Sequence, residues 1–330
     1  MSHPTSERVG TTTLLIAVTL VLALVAGCGS TNSSAGKPSS SKAASEPPGT
    51  QTTLPLTLDG IAAAVAVTDH GVFVADTGKG NKIDNLGGSY GDRGGRVLTL
   101  EAGASTQKDV STNVGVPISL AAGPDGAIYV LTVNPRGVVQ FPAGSTDPVR
   151  LPFEFGTRIS DPSPWKIAVT PAGDVVVLTD RSLLLLPKGA QAAKAIGPTA
   201  ERRFVAVDPK GAIYFVGSSM SDVIRVIDSG STEPRKFEAS DSAHPTKRTV
   251  AMAFDTNSDR YELAEECGPG QEPGLLRPCK AYVYSLSKFA NNSATPTDMP
   301  VQGLTSATSV AVGPTGIYIA DGNRVVKIAK

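Results

Sequence analysis

The strongest constraint on this chain is a repeated pair of short apolar segments joined by a tight turn. Six such pairs follow one another between residue 60 and the C-terminus. Their turns, mostly of the form Pro-x-Gly, are Asp69-His70-Gly71, Pro124-Asp125-Gly126, Pro171-Ala172-Gly173, Pro209-Lys210-Gly211, Asn257-Ser258-Asp259 and Pro314-Thr315-Gly316. Five intervals fill the 245 residues between Gly71 and Gly316, a mean of 49 residues. Because repeats of ~40 to 50 residues are typical of propeller blades, the spacing predicts six blades.

A third apolar segment follows each pair, and the two ends of the chain complement each other. The sixth repeat stops at Lys330 after its third strand, whereas an additional strand at 53–58 precedes the first repeat. Pairing these ends would close the ring and remove an open sheet edge. The sequence therefore predicts an all-β fold, a six-bladed β-propeller over residues 52–330 that is closed by an N-terminal strand. The predicted blades are 60–114, 115–159, 160–199, 200–243, 244–302 and 303–330 with 52–58. The long first and fifth repeats leave seven blades as an alternative.

The first 28 residues have the pattern of a targeting segment. A short polar start is followed by an apolar run at 14–26 and then by Gly27-Cys28. A run of 13 residues is too short to span a bilayer as a helix, which requires ~20 residues. Residues 1–27 are therefore predicted to be a signal peptide.

The end of this segment, Val25-Ala26-Gly27-Cys28, resembles the lipobox of bacterial lipoproteins. The resemblance implies that Cys28 carries a lipid and anchors the protein on the extracytoplasmic face of the cell membrane. An ordinary secretory signal with an incidental cysteine is the alternative. Residues 28–51 contain few apolar side chains larger than alanine, so we expect a flexible linker rich in Ser, Pro and Gly.

The two remaining cysteines, Cys267 and Cys279, flank a loop rich in glycine and proline. In an oxidising exported compartment this arrangement favours a disulfide. A metal site is the alternative, but two thiolates without a nearby histidine do not complete a tetrahedral zinc shell.

The charge balance argues against one class of partner. Thirty basic and thirty acidic residues cancel, and no basic stripe stands out in the sequence. Since nucleic-acid-binding proteins present such a stripe, we expect no nucleic-acid partner. We also expect a monomer.

Two repeats carry a polar motif directly after the second strand. The first has Ala75-Asp76-Thr77-Gly78 and the sixth has Ala320-Asp321-Gly322-Asn323-Arg324. These segments resemble NHL-repeat propellers, in which an Asp-x-Asn-Arg signature connects the second and third strands. The other repeats depart from it, with Thr132, Thr179, Gly217 and Ala264 or Glu265 near the aspartate position. Lactonase-like six-bladed propellers are close structural neighbours that periodicity does not distinguish.

In this architecture the loops after the second strands gather on one face around the central channel. Polar side chains on that face form the default binding surface. The candidate ligand-binding residues are Asp76, Thr77, Asn81, Asn134, Asp180, Arg181, Asp222, Glu265, Asp321 and Asn323. The alternative role for each is local, because Asp and Asn also cap turns and bind backbone amides.

Two functions remain after the catalytic motifs are considered. No Gly-x-Ser-x-Gly nucleophile elbow is identified, because Gly87-Gly88-Ser89-Tyr90-Gly91 lies in a glycine-rich insertion without the strand-to-helix context of such an elbow. The three histidines are His3, in the predicted signal, and the isolated His70 and His244. Serine or zinc hydrolysis therefore lacks its residues, and we predict no catalytic residue and no required cofactor. The leading hypothesis is a binding or scaffold module for a protein, peptide or glycan of the cell envelope. The alternative is a calcium-dependent lactonase or hydrolase that uses carboxylates and amides at the channel.

Overall fold

Short strands between turn sequences make up nearly all of the regular structure. The second strands are the most apolar, and all four residues of Val175–Leu178 are buried, as expected for an interior strand covered on both faces. The computed structural model describes residues 46–84, 87–89, 94–112, 114–155, 165–179, 182–198, 204–216, 223–237, 247–269, 279 and 281–330. The predicted signal peptide, Cys28 and most of the predicted linker lie outside these residues. In the described part of the chain, no helix has the length and apolarity needed to cross a membrane.

The strands form six four-stranded antiparallel sheets, which are the predicted six blades. Blade 1 consists of Ala62–Thr68, Gly71–Asp76, Arg96–Glu101 and Lys108–Ser111, and blade 2 of Val116–Ala122, Ile128–Val133, Gly137–Phe141 and Val149–Arg150. Blade 3 consists of Lys166–Val169, Val175–Leu178, Ser182–Leu186 and Lys194–Pro198, and blade 4 of Val205–Val207, Ile213–Val216, Ile224–Ile227 and Arg235–Lys236. Blade 5 consists of Arg248–Phe254, Arg260–Cys267, Tyr282–Phe289 and Thr297–Met299. Blade 1 also carries a hairpin, Lys82–Asp84 with Gly87–Ser89, between its second and third strands.

Blade 6 combines both ends of the chain. Its strands are Ala307–Gly313, Gly316–Asp321, Arg324–Ala329 and the closing strand Gln51–Thr53. The closing strand lies earlier than the predicted 53–58, and a backbone hydrogen bond from Gly49 to Ala329 extends it into the predicted linker 28–51. Leu54 still pairs with blade 6, since its N–H donates to the carbonyl of Val325 at 2.9 Å, but Leu56 and Leu58 only pack against the apolar cluster between blades 6 and 1. Pro55 interrupts pairing because it has no N–H to donate.

A shared irregularity puts the blades in a common register. In four blades the first strand has an extra residue beside the end of the second strand. These residues are Ala63, Ile118, Val250 and Thr308. The residue before the irregularity pairs with Asp76 in blade 1, Thr132 in blade 2, Ala264 in blade 5 and Asp321 in blade 6. In blade 5 the residue at the aspartate position of the signature is therefore Ala264, and Glu265 lies one residue further along the chain.

Apolar clusters lie between neighbouring blades, because side chains alternate between the two faces of each sheet. Between blades 4 and 5, Tyr214 packs on Phe254 with ring centroids 4.8 Å apart. Arg260 is completely buried in this region, with its guanidinium carbon 4.8 Å from the ring centroid of Phe237 and 4.0 Å from that of Phe289. The innermost strand of each blade is left to surround the channel.

Candidate functional site

The first strands of all six blades surround a central cavity of about 230 Å³. Each of these strands has a hydrogen-bonded neighbour on one side only. Alternate backbone N–H and C=O groups on the other edge therefore face the cavity. The walls are mostly valine and alanine, and Lys166 is the only charged side chain among the lining residues that the structure describes.

The mouth of the channel is the face on which the second strands end and the third strands begin. Cross-strand pairing places Asp76, Asp321 and Glu265 at this face. The same pairing brings the starts of the first strands, including Lys166 and Arg248, to this side of the ring. The mouth therefore contains both predicted and unpredicted charged residues.

Asp321 lies at the mouth, but its carboxylate already has a full set of partners. Oδ1 accepts the backbone N–H groups of Thr305 and Ser306 at 2.8 and 2.7 Å. Oδ2 accepts Nε and Nη2 of Arg324 at 2.9 and 2.8 Å. With 1 % of its surface exposed, Asp321 fixes the segment that leads into blade 6.

Asp76 has the same role in blade 1. The backbone N–H groups of Asp59 and Gly60 each donate to its carboxylate at 2.8 Å, and Nε of Arg96 donates at 3.1 Å. Asp59 and Gly60 lead into blade 1 as Thr305 and Ser306 lead into blade 6. The two aspartates are therefore equivalent structural caps.

Thr77 and Asn81 extend this local network and are buried. The hydroxyl of Thr77 accepts the N–H of Ile61 at 3.0 Å, and Nδ2 of Asn81 donates to the carbonyl of Thr77 at 2.6 Å. Neither side chain is presented to a ligand at the surface.

Two predicted candidates are exposed at the mouth. Asn134 follows the second strand of blade 2 in the left-handed region, with φ of 53°, and Asn323 lies in the turn between the second and third strands of blade 6. Three other candidates, Asp180, Arg181 and Asp222, lie outside the described residues.

Glu265 is held by side chains of its own blade. Nε of Arg248, on the first strand of blade 5, donates to Glu265 Oε1 at 2.8 Å, and Nη2 of Arg248 donates to the same oxygen. The Tyr284 hydroxyl also hydrogen-bonds to Glu265. Burial, followed by the negative charges of Glu265 and Asp321, raises the pKa of the Tyr284 phenol.

Lys166 begins the first strand of blade 3 and extends into the channel. Its ammonium lies 3.4 Å from the carbonyl oxygen of Thr308 in blade 6, the blade opposite in a ring of six. Burial in the apolar wall lowers the pKa of the Lys166 ammonium to about 8. The residue keeps partial contact with solvent through the channel.

Two serines satisfy inner-edge amides of neighbouring blades. The hydroxyl of Ser119 accepts the N–H of Ile167 at 3.2 Å, and that of Ser309 accepts the N–H of Val65 at 3.4 Å. These bonds demonstrate that the amides at this level of the first strands point away from their own sheets.

The candidate carboxylates that the structure describes, Asp76, Glu265 and Asp321, do not come together as metal ligands. Among the described residues, no three His, Cys, Asp or Glu side chains come together as potential ligands. Asp76 and Asp321 are each bound to an arginine and to backbone amides, so their oxygens are committed to the fold.

Cys267 ends the second strand of blade 5, and Cys279 precedes the third. The two residues are joined as a disulfide, with Cα atoms 5.5 Å apart. The bridge closes the connection between these strands at the mouth.

Sequence reasoning missed Lys166, Arg248 and Tyr284. For Lys166 a signal was present, because Ser119, Phe204 and Ser309 stand five residues before a turn proline, as Lys166 does before Pro171. A charged residue in a column of small and apolar ones indicates a specialised position. Arg248 and Tyr284 carry no comparable signal, because their position depends on the pairing of blade 5.

Known structures resemble this chain in fold, although no family model and no curated sequence matches it. A gluconolactonase from Xanthomonas campestris is 10% identical with a TM-score of 0.60, over 84% of this chain and 89% of that one. Virginiamycin B lyase from Staphylococcus aureus is 11% identical with a TM-score of 0.54, over 85% and 98%. YCF48 bound to the D1 peptide is 12% identical with a TM-score of 0.51, over 86% and 98%. The similarity establishes a propeller fold that serves both enzymes and a peptide-binding protein.

Proposed function

We propose that this protein is an extracytoplasmic lipoprotein, anchored to the cell membrane through Cys28, whose NHL-like propeller is a binding module. Its partner is a protein, peptide or glycan of the cell envelope, recognised at the mouth. The lipobox resemblance supports the anchor, and the linker gives the propeller reach above the membrane. We propose a monomer, with no nucleic-acid partner.

The observation that carries the binding role is the use of the mouth carboxylates within the fold. Asp76 and Asp321 each neutralise an arginine and hold two backbone amides of the segment leading into their blade. A hydrolase would need such groups free to bind a metal or move a proton. Among the described candidate residues, Asn134 and Asn323 are exposed at the mouth and are suited to hydrogen bonding with a ligand.

Capture of partners from envelope extracts tests the binding role. The full chain and the double variant Asn134→Arg with Asn323→Arg serve as baits, since two bulky cations at exposed positions should block the mouth without disturbing the blades. The matched control places arginine at two exposed positions away from the mouth, Ser105 and Thr146. The proposal requires a partner that the wild type and control retain and the mouth variant loses.

Detergent partitioning tests the anchor separately. Cys28→Ala should move the protein from the detergent phase to the aqueous phase, whereas Ser30→Ala should not. Unchanged partitioning of Cys28→Ala would contradict lipidation at this residue.

The calcium-dependent lactonase remains the alternative, favoured by the gluconolactonase similarity in fold. The lactonase alternative predicts two measurable results. Calcium should raise the melting temperature relative to chelator, and the protein should hydrolyse an aldonolactone with calcium present. Both results together would replace the binding proposal.

A further inference from the structure

The ammonium of Lys166 occupies an unusual place for a cation. It crosses the channel from blade 3 and meets a backbone carbonyl of blade 6 at 3.4 Å, with no carboxylate among the described residues that line the cavity. An ammonium has three donors, so this contact with Thr308 leaves two for other acceptors.

The three buried carboxylates described at the mouth each pair with an arginine. Asp76 pairs with Arg96, and Asp321 pairs with Arg324. Glu265 pairs with Arg248. None of these three carboxylates pairs with Lys166, which is the one charged side chain among the described residues that line the channel. A cation in an apolar wall without a counter-ion is unfavourable, and an anion that enters the channel removes this penalty.

Backbone N–H groups of the first strands add further hydrogen-bond donors at nearly the same depth in the channel as Lys166. Ile167, four residues before its turn proline, directs its N–H away from its own sheet to Ser119. The same position before the turn proline is occupied in blades 2, 4 and 6 by Leu120, Val205 and Val310. The equivalent N–H groups of these three residues, on alternate blades, therefore face the channel. Unlike the amide of Ile167, they are not capped by a serine, since Ala64, Lys166 and Ala251 occupy the equivalent positions in the preceding blades.

The cavity also limits the size and polarity of its occupant. Its volume of about 230 Å³ lies below the ~300 to 1,000 Å³ that is typical of sites for drug-sized ligands. Beyond the level of Lys166 the lining includes Val67, Val169, Val207 and Val312, which pack partly into the clusters between blades and leave the rest of their apolar surface to the cavity, where it can contact an aliphatic group.

We infer that the channel is a binding site for a small aliphatic monocarboxylate, whose carboxylate pairs with the Lys166 ammonium and the inner-edge amides while its tail contacts the valine walls. This site deepens the proposed binding function by adding a second ligand class, distinct from the partner at the mouth. A monocarboxylate is preferred to a multiply charged inorganic anion because Lys166 is the one cation among the described lining residues, so it matches a single negative charge.

Calorimetric titration of the full chain in non-ionic detergent with butyrate tests the site at pH 7, with butyramide as the neutral analogue and sulfate at equal ionic strength as the inorganic anion. The wild type should bind butyrate, and Lys166→Met should weaken that binding about 10- to 100-fold, as expected for loss of a charge-assisted hydrogen bond. Lys188→Met, an exposed lysine in the same blade, is the matched control and should bind like the wild type.

Two additional arms keep the outcome decisive. Lys166→Arg should retain measurable butyrate affinity because it keeps the cation, which also covers the case in which Lys166→Met folds poorly. Wild-type affinity should fall about tenfold between pH 7 and pH 9, because the ammonium loses its proton. Equal binding by Lys166→Met, equal binding of butyramide or sulfate, or no binding of butyrate would each overturn the inference. If Lys166→Met loses butyrate yet captures the envelope partner, both proposals hold, whereas failure of capture alone would count only against the function at the mouth.

Discussion

Blades 5 and 6 are neighbours that both bury a carboxylate at the end of the second strand, yet they use it differently. In blade 6, Asp321 binds two backbone amides of the incoming segment and Arg324 of the third strand. In blade 5, Glu265 lies one residue further along and binds Arg248 of the first strand and the Tyr284 hydroxyl. The position of Asp321 itself is Ala264 in blade 5.

The difference distinguishes the residues that specify the four-stranded sheet of a blade from the residues that fix the segment leading into it. Blade 5 forms a full four-stranded sheet with the same irregularity in its first strand, although it lacks the aspartate. Blade 2 does so with Thr132, whose hydroxyl donates to the carbonyls of Pro135 and Gly137. The strand pattern therefore specifies the sheet, and the aspartate fixes the segment between blades.

The largest difference between the two blades should come from their outer strands. Replacing residues 49–54 by Gly and Ser removes the strand that closes the ring at blade 6, and we expect a loss of at least ~3 kcal/mol, a fall of roughly 6 °C or more in melting temperature. Replacing Thr297–Met299 in the same way trims blade 5 but leaves the ring closed, so the expected loss is about half as large. Calorimetric unfolding measures both, and equal losses would argue against closure as a special source of stability.

The carboxylates give the next largest contrast. Asp321→Ala leaves two backbone amides and Arg324 without their acceptor, so we expect a cost of about 2–4 kcal/mol. Glu265→Ala should cost about 1–2 kcal/mol, because the Arg248 side chain is 23% exposed and can be hydrated. Asp76→Ala is the matched control in blade 1 and should resemble Asp321→Ala. Urea unfolding supplies the values, and the comparison fails if Glu265→Ala proves the more damaging change.

These contrasts also explain what the sequence could predict. The turn spacing identified six blades, and the missing strand of the sixth identified ring closure. The closing strand was placed too late: Thr53 and Leu54 do pair with the third strand of blade 6, but Leu56 and Leu58, beyond Pro55, continue the alternation without pairing and pack against the cluster between blades 6 and 1. The aspartates were found as polar residues at the mouth, but their acceptor role depends on amides about 16 residues upstream, whose placement is a property of the ring. Lys166 was missed because a lysine at a strand start is ordinarily solvated, and only the sixfold register turns that position toward the channel.

Alkaline pH probes the cluster shared by blades 5 and 6. The folded-state pKa of Tyr284 is raised above its unfolded value near 10, so the folded protein holds this proton more tightly. The associated stability is present below pH 10 and is lost as the pH rises beyond it, by no more than about 1.4 kcal/mol per pH unit. Tyr284→Phe removes this group and should lose less stability than the wild type between pH 9 and pH 11 in urea unfolding. Identical slopes would indicate that folding does not raise the pKa of the Tyr284 phenol.

The smallest expected effect on stability concerns Asn323, the exposed residue of the signature in blade 6. Asn323→Ala should change the free energy of unfolding by less than ~0.5 kcal/mol, because the residue is exposed in a turn. The neighbouring Arg324→Ala, which strips Asp321 of its charge partner, should cost about 1–3 kcal/mol and serves as the contrast. Urea unfolding of both variants, paired with capture of the envelope partner, then assigns the two halves of the signature. If Asn323→Ala keeps its stability but loses the partner, the asparagine serves recognition while the aspartate and arginine serve the fold; a large loss of stability would instead make the whole signature structural.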